Sequence, residues 1–149
     1  MSTYIIGDIH GCFYTLNDLL EALAFNPNKD RIICTGDLIN RGKHSFEVLN
    51  FFSKHSFTSS VLGNHDLYFL AYAFWPNDVR ANGLDRLLEQ PNIDLHIEWL
   101  RHQPLLMHLP QNETLIVHAG LYPLWSQEVC FQYAKLVEDI LIDPINGPH

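Results

Sequence analysis

The sequence GDIHG at residues 7–11 follows the apolar run YII at residues 4–6 and places an acid, Asp8, and an imidazole, His10, between two glycines. A short apolar run that ends at glycine is typical of a buried β-strand, and glycine allows a tight turn close to a ligand. In an open parallel sheet, side chains just beyond the carboxyl ends of the strands converge on one crevice. The stretch therefore predicts one corner of a functional site, which other strands must complete.

Three further apolar runs are also followed by side chains that can bind a metal or a substrate. Residues 32–34 lead to Asp37 in CTGDLINRG, residues 61–62 lead to Asn64 and His65 in VLGNHD, and residues 115–117 lead to His118 in LIVHAG. Helical spacing of the apolar residues between the first three runs predicts βαβ units around a largely parallel inner sheet. The same spacing predicts further helices at residues 63–75, 93–102 and 126–142. Such an α/β fold gathers side chains that lie far apart in the chain.

The composition fits one domain and excludes several classes of partner. The chain has 149 residues, 47% of them hydrophobic, which is enough for a real core. Its net charge of −8 argues against a broad surface for nucleic acid or anionic membrane. The longest apolar run, residues 67–75, is far below the ~20 residues of a bilayer span, and no signal-peptide pattern opens the chain. We expect a soluble cytoplasmic protein, in which an anionic substrate needs a local source of positive charge.

The residue types at the four strand ends are those of a divalent-metal site. Carboxylate, amide and imidazole ligands without thiolate suit manganese, iron, cobalt or zinc, and the histidines argue against a pure calcium or magnesium site. Each signal alone has an ordinary explanation, because Asp-x-His is common in surface turns and a histidine after a strand can be a hydrogen-bonded core residue. Four such signals at four strand ends together indicate a metal site.

These motifs resemble those of the calcineurin-like metallophosphoesterases, the superfamily of the phosphoprotein phosphatases. The similarity lies in GDIHG, in residues 36–42, in GNHD at residues 63–66 and in HAG at residues 118–120. Within that superfamily, TYIIGDIHGC, VLGNHDLYFLA, WLRHQPLL and LIVHAGLYPLW are most similar to the bacterial symmetrical diadenosine tetraphosphatases. The resemblance implies the N-terminal portion of a β-sandwich flanked by helices. It also implies hydrolysis of diadenosine tetraphosphate to two ADP by metal-activated water.

The resemblance further implies two divalent ions and their ligands. Manganese is the expected metal, with cobalt, iron and zinc as the other choices. Asp8 and His10 would bind the first ion, Asp37 would bridge both ions, and Asn64 and His118 would bind the second.

Three more residues receive roles by the same resemblance. His65 would act as the general acid, and Arg41 would bind a phosphate oxygen of the substrate. Asp66 would either orient His65 or cap the helix that follows, and the sequence favours neither over the other.

The chain departs from the superfamily at position 40. Phosphoprotein phosphatases carry an acidic residue there that pairs with the catalytic histidine, whereas this chain has Asn40. The substitution speaks against protein substrates, although tetraphosphatases usually have a small residue at this position. A phosphoprotein phosphatase is kept as the second functional hypothesis, because the residue at position 40 matches neither group fully.

A second departure concerns the C-terminal half. Relatives continue into more strands and a Gly-His segment that completes the second metal shell, but after His118 only His149 remains, in a turn-rich stretch that we expect to fray. We therefore interpret residues 1–149 as one metallophosphoesterase domain that is incomplete at its C-terminus. The third hypothesis is a truncated, inactive protein that only binds nucleotide or a partner. An incompletely covered sheet would favour self-association.

Overall fold

The structure is a computed structural model that describes residues 1–143. In chain order its elements are β1 (Thr3–Ile6), α1 (Phe13–Ala22), β2 (Arg31–Cys34), α2 (Ser45–Lys54), β3 (Thr58–Ser60), α3 (Asn64–Phe74), α4 (Asp85–Leu88), α5 (Ile93–Arg101), β4 (Leu106–Leu109), a 3₁₀ helix (Pro110–Asn112), β5 (Thr114–Val117) and α6 (Gln127–Ile142). The predicted α/β fold is confirmed. The fraying expected of the last residues lies outside the described part, apart from Asp143.

The inner sheet is parallel and has the order β1-β2-β3. It confirms the first two predicted strands, whereas the third was placed wrongly. The register pairs Cys34 with Ser60, the last residue of β3. The N–H of Val61 still donates to the Cys34 carbonyl, but that of Leu62 donates to Pro104. The apolar pair that suggested a strand therefore follows the strand and leads the chain away from the sheet.

The fourth predicted strand belongs to a different sheet. Strand β5 pairs antiparallel with β4, which the sequence pattern did not predict, so the prediction that it extends the parallel sheet was wrong. The physical reason is local. Only residues 110–113 separate the two strands, and so short a connection favours a hairpin over a distant partner.

The core lies on both faces of the parallel sheet. Alternation along β2 sends Ile32 into the main cluster with Phe52, Phe69 and the other helix side chains. It sends Ile33 to the opposite face, where it packs with Val61 and Ile116. Because Ile116 belongs to β5, this second cluster joins the two sheets and fixes where the chain after β5 emerges.

Several apolar side chains remain accessible at the edges of this core. Ile5 of the edge strand β1 is 49% exposed, and Tyr133 and Ile140 of α6 are 50% and 61% exposed. Self-association through such a surface stays a prediction. Across residues 1–143, no helix combines the length and apolar content that a membrane span requires.

The cluster between the two sheets yields the first prediction. Ile116 is 3% exposed, so Ile116→Ala should lower the free energy of unfolding by about 3 kcal/mol through lost burial and the cavity left behind. Chemical denaturation monitored by circular dichroism measures the change. Ile140→Ala is the matched control, because the same atoms are removed from a largely exposed position. Equal effects of the two variants would contradict the packing described.

Candidate metal centre

Four loops bring the predicted site residues to one place. The loops that follow β1, β2 and β5 contribute Asp8 and His10, Asp37, and His118, and the loop after β3 leads into Asn64 and His65 at the start of α3. The sequence predicted that these side chains would meet at the edge of one parallel sheet. In the structure they do meet, but three of the strands belong to the parallel sheet and the fourth belongs to the neighbouring sheet. Arg41 lies beside this group on the wall of a cavity, and its contact with a phosphate stays a prediction.

Asp37 is the centre of the group. Its buried carboxylate places Oδ2 at 3.5 Å from His118 Nε2, 3.7 Å from His10 Nε2 and 4.0 Å from His65 Nε2. Its other oxygen, Oδ1, accepts the backbone N–H of His65 at 2.8 Å. One oxygen is thus held by the backbone while the other faces three imidazoles, a position that suits a ligand shared by two ions.

Two of these imidazoles are oriented by backbone carbonyls. Nδ1 of His118 lies 2.9 Å from the carbonyl oxygen of Thr35, and Nδ1 of His10 lies 3.2 Å from that of Ile39. A carbonyl only accepts, so each Nδ1 carries the hydrogen and each Nε2 presents a lone pair to the cluster. Metal-ligating histidines are held in this way, because a partner on the far nitrogen fixes the tautomer and the ring orientation.

The donor atoms of the cluster fit a divalent cation. His118 Nε2 lies 3.0 Å from Asn64 Oδ1, and His10 Nε2 lies 3.5 Å from Asp8 Oδ2. With both histidines in the tautomer described, each Nε2 lone pair faces an oxygen that can only accept, and the two atoms of each pair repel each other. A cation bound between them would remove that repulsion. Ligand atoms that share one ion at about 2.1 Å lie roughly 3–4 Å apart. Among the described residues, His10, Asp37 and His65 also form a group whose ligand atoms all fall within 4.8 Å.

Asn40 orients His65. The amide oxygen of Asn40 accepts the backbone N–H of Arg41 at 2.7 Å, which turns its Nδ2 toward His65 Nδ1 at 3.0 Å. His65 Nδ1 therefore accepts, and the imidazole hydrogen lies on Nε2, the nitrogen that faces Asp37. The sequence marked Asn40 as a departure from the phosphoprotein phosphatases. The structure shows that it contacts the same histidine through a neutral amide.

Asp66 ties two of the loops together. Its fully buried carboxylate accepts the backbone N–H groups of Asp37 at 2.8 Å, Leu38 at 3.0 Å and Gly63 at 2.9 Å. Burial raises the pKa of this carboxyl to about 7, against the opposing effect of the three donors. Of the two alternatives for Asp66, these contacts match the helix cap, while the ring of His65 is oriented by Asn40. We therefore propose a positioning role for Asp66.

The backbone between the ligands is tightly folded. Four residues have a positive φ between 49° and 74°, which residues other than glycine rarely adopt: His10, Asp37, Asn40 and Arg41. Gly63 lies so close to Asp37 that a Cβ would collide with its backbone and carboxyl group. Strain of this kind concentrates at functional sites because the surrounding contacts enforce it.

Sequence reasoning missed the contacts that orient the ligands. The carbonyls of Thr35 and Ile39 hold His118 and His10, yet every residue has a carbonyl, so no sequence signal could have identified them. Asn40 did carry a signal, because it lies within the motif at residues 36–42, but only the structure gives its partner.

Comparisons with known proteins find a matching family and similar relatives. The sequence profile of the family described as Calcineurin-like phosphoesterase matches residues 1–144. The symmetrical bis(5'-nucleosyl)-tetraphosphatase of Buchnera aphidicola subsp. Baizongia pistaciae (strain Bp) is 46% identical over 143 residues, covering 95% of this chain and 51% of the relative. The protein of that name from Coxiella burnetii (strain RSA 331 / Henzerling II) is 41% identical over 150 positions, covering 99% and 50%. The chain spans about half the length of the curated relatives it matches.

Solved structures show the same fold. The crystal structure of a protein proposed to be a diadenosine tetraphosphatase has a TM-score of 0.71 and 33% identity, covering 85% of this chain and 53% of that protein. A mutant of a cold-active protein tyrosine phosphatase has a TM-score of 0.65 at 21% identity, covering 98% and 57%. The second likeness, at this low identity, supports the fold alone.

The contacts of Asp66 lead to a prediction about stability. Asp66→Asn replaces one accepting oxygen by an NH₂ group, which leaves at least one buried backbone N–H without an acceptor. We expect the free energy of unfolding to fall by about 2 kcal/mol. Chemical denaturation measures it, with Asp18→Asn on the exposed side of α1 as the matched control. An unchanged midpoint for Asp66→Asn would contradict the assigned role.

Proposed function

The chain belongs to the calcineurin-like phosphoesterase family, and on that premise we propose that it hydrolyses diadenosine tetraphosphate to two ADP with the help of divalent metal ions. Relatives that match 95–99% of the chain at 41–46% identity are named symmetrical bis(5'-nucleosyl)-tetraphosphatases, and these names support this substrate. Those relatives are about twice as long, so the activity of the complete protein is part of the proposal.

The arrangement around Asp37 is the observation that carries the proposal. Five side chains would hold two divalent ions, with manganese as the first choice: Asp8, His10, Asp37, Asn64 and His118. When bound, such ions supply positive charge to phosphate oxygens and acidify a water molecule. The chain's own part is to fix these donors, and it does so through the carbonyls behind the histidines and the backbone donors around Asp37.

The reaction breaks one phosphoric anhydride bond. The oxygen of water adds to one of the two inner phosphorus atoms, and the oxygen that bridged them leaves with the other ADP, while the protons of water pass to solvent. The guanidinium of Arg41 binds oxygens of the attacked phosphoryl group through a planar fork. His65 donates a hydrogen bond from Nε2–H to the departing oxygen, since its Nδ1 is occupied by Asn40.

Asn40 favours an anhydride over a phosphoprotein. A carboxylate at this position would stabilise a positively charged His65, whereas the amide donates to Nδ1 and supports the neutral ring. A departing phosphate, with a pKa of about 6, needs only a hydrogen bond. The alkoxide of serine or threonine is far more basic and needs a full proton. The neutral pair therefore matches the less basic leaving group.

The proposed function predicts a substrate preference. The purified chain with manganese should hydrolyse diadenosine tetraphosphate to ADP and leave phosphoserine peptides intact, and a chelator should abolish turnover. Asp37→Asn should lower kcat/KM by at least about a hundredfold, because a neutral amide lacks the negative charge of the carboxylate oxygen that two ions would share. Chromatographic detection of ADP measures the rates, with Asp18→Asn as the control.

Other outcomes would select the competing hypotheses. Turnover of phosphopeptides alone would favour the phosphoprotein phosphatase. One bound metal or none, together with no turnover of either substrate, would favour a protein that only binds nucleotide or a partner. Near-normal activity of Asp37→Asn would refute the central position proposed for this carboxylate.

A further prediction separates two roles for His65. Its Nε2 faces Asp37 as the ligand atoms do, yet the proposal makes it a hydrogen-bond donor to substrate. His65→Gln should lower kcat by about a hundredfold, as expected for the loss of a hydrogen-bond donor to an oxygen that gains negative charge in the reaction, while bound manganese stays unchanged. Metal analysis by mass spectrometry, run beside kinetics, measures both. Loss of a metal ion from His65→Gln would place His65 among the ligands.

A further inference from the structure

A cavity of about 680 Å³ lies next to the candidate metal centre. We call it the basic cavity, and its lining comes from two segments: residues 40–43 and 45–47 in the first, and residues 82–84, 86, 87 and 90 in the second. It adjoins the centre because Asn40, which contacts His65, is part of its lining. Its volume lies within the range of roughly 300–1,000 Å³ that is usual for small-molecule sites.

The charge of the basic cavity is opposite to that of the protein. Arg41, Lys43 and Arg86 line it, against one acidic residue, Glu47, in a chain of net charge −8. Within residues 1–143, none of the three cations has a carboxylate within 4.0 Å. Glu47 instead faces His44 at 3.5 Å. Three of the nine basic residues thus converge without an internal counterion, which favours an anionic ligand.

The remaining lining suits a nucleoside. The half-buried ring of Phe46 contributes aromatic surface beside the buried side chains of Leu84 and Leu87, and Asn82 and Gln90 contribute amides. Apolar surface can pack against a base, while amides can donate to and accept from its edge or the ribose hydroxyls. Inorganic phosphate would contact the three cations but would leave the apolar and amide side chains of the cavity without a ligand group to bind.

We propose that the basic cavity binds one nucleoside diphosphate half of the dinucleotide, with Lys43 and Arg86 contacting its phosphates. The inference rests on the proposed function, because a tetraphosphate cut at its centre leaves an ADP on each side of the attacked bond. The centre itself holds only the inner phosphates. Arg41, which would contact an inner phosphate, lines the same cavity as Lys43 and Arg86, and the volume of about 680 Å³ is sufficient for one nucleotide half.

The test measures ADP binding and kinetics separately. Isothermal titration of the metal-free chain with ADP, and with pyrophosphate for comparison, reports binding without any turnover. Arg86→Gln and Lys43→Gln should each weaken ADP binding about tenfold and raise KM for diadenosine tetraphosphate by a similar factor, with a much smaller change in kcat. ADP should bind more tightly than pyrophosphate if the apolar lining receives the nucleoside. Arg80→Gln is the control, since this exposed arginine lies outside the cavity lining.

The outcomes distinguish failure of the cavity from failure of the proposed function. Parent-like ADP affinity and KM in both variants, beside normal hydrolysis by the parent, would overturn the cavity proposal alone. ADP binding that weakens in the variants, in a chain that hydrolyses no dinucleotide, would uphold the cavity and overturn the function. A parent chain that binds no ADP, or an equal loss in Arg80→Gln, would also overturn the cavity proposal.

Discussion

The site depends on one buried carboxylate, that of Asp66, which accepts three backbone N–H groups from two separate loops. These bonds join the loop that carries Asp37 to the start of α3, which carries Asn64 and His65. Each of the three donors would cost about 1–3 kcal/mol if it were buried without an acceptor. The interaction therefore offsets the cost of the positive φ of Asp37. It also fixes the spacing between the candidate metal ligands on the Asp37 loop and those at the start of α3.

The electrostatics of the centre follow from that spacing. Oxygen acceptors and imidazole lone pairs face one another at 3.0–3.7 Å around Asp37, an arrangement that positive charge stabilises. The chain as a whole is acidic, so general surface charge would repel a tetraphosphate. Under the proposed function, attraction would come from cations bound at the centre and from the basic cavity beside it. The two positive regions adjoin at Arg41, which makes one continuous path for a linear polyanion.

Much of this arrangement could be predicted from the sequence, and the exceptions have physical causes. The predicted strands before Asp8 and Asp37, and the helix that starts at residue 64, are confirmed because apolar runs and helical spacing are local signals. The partner of β5 was predicted wrongly, since strand pairing depends on tertiary contacts that no run encodes. The prediction that the candidate ligands lie together did not depend on that pairing, because His118 follows the carboxyl end of β5 whichever sheet the strand joins. Backbone features, such as the carbonyls behind the histidines and the positive φ angles, leave no side-chain pattern to find.

Residues 37–43 connect the candidate metal centre to the basic cavity. This single loop supplies the central carboxylate of Asp37, the amide of Asn40 that sets the tautomer of His65, and the two cations Arg41 and Lys43. Asn40 accepts the N–H of Arg41 with the same side chain that donates to His65, so the orientation of the histidine and the backbone position of the arginine are coupled. A carboxylate at position 40 could not donate to the histidine, so it would change how the ring is held and, through the bond to Arg41, the surroundings of the arginine. Under the proposed function, preference for an anhydride and recognition of its phosphates would both depend on this one loop, and they would change together.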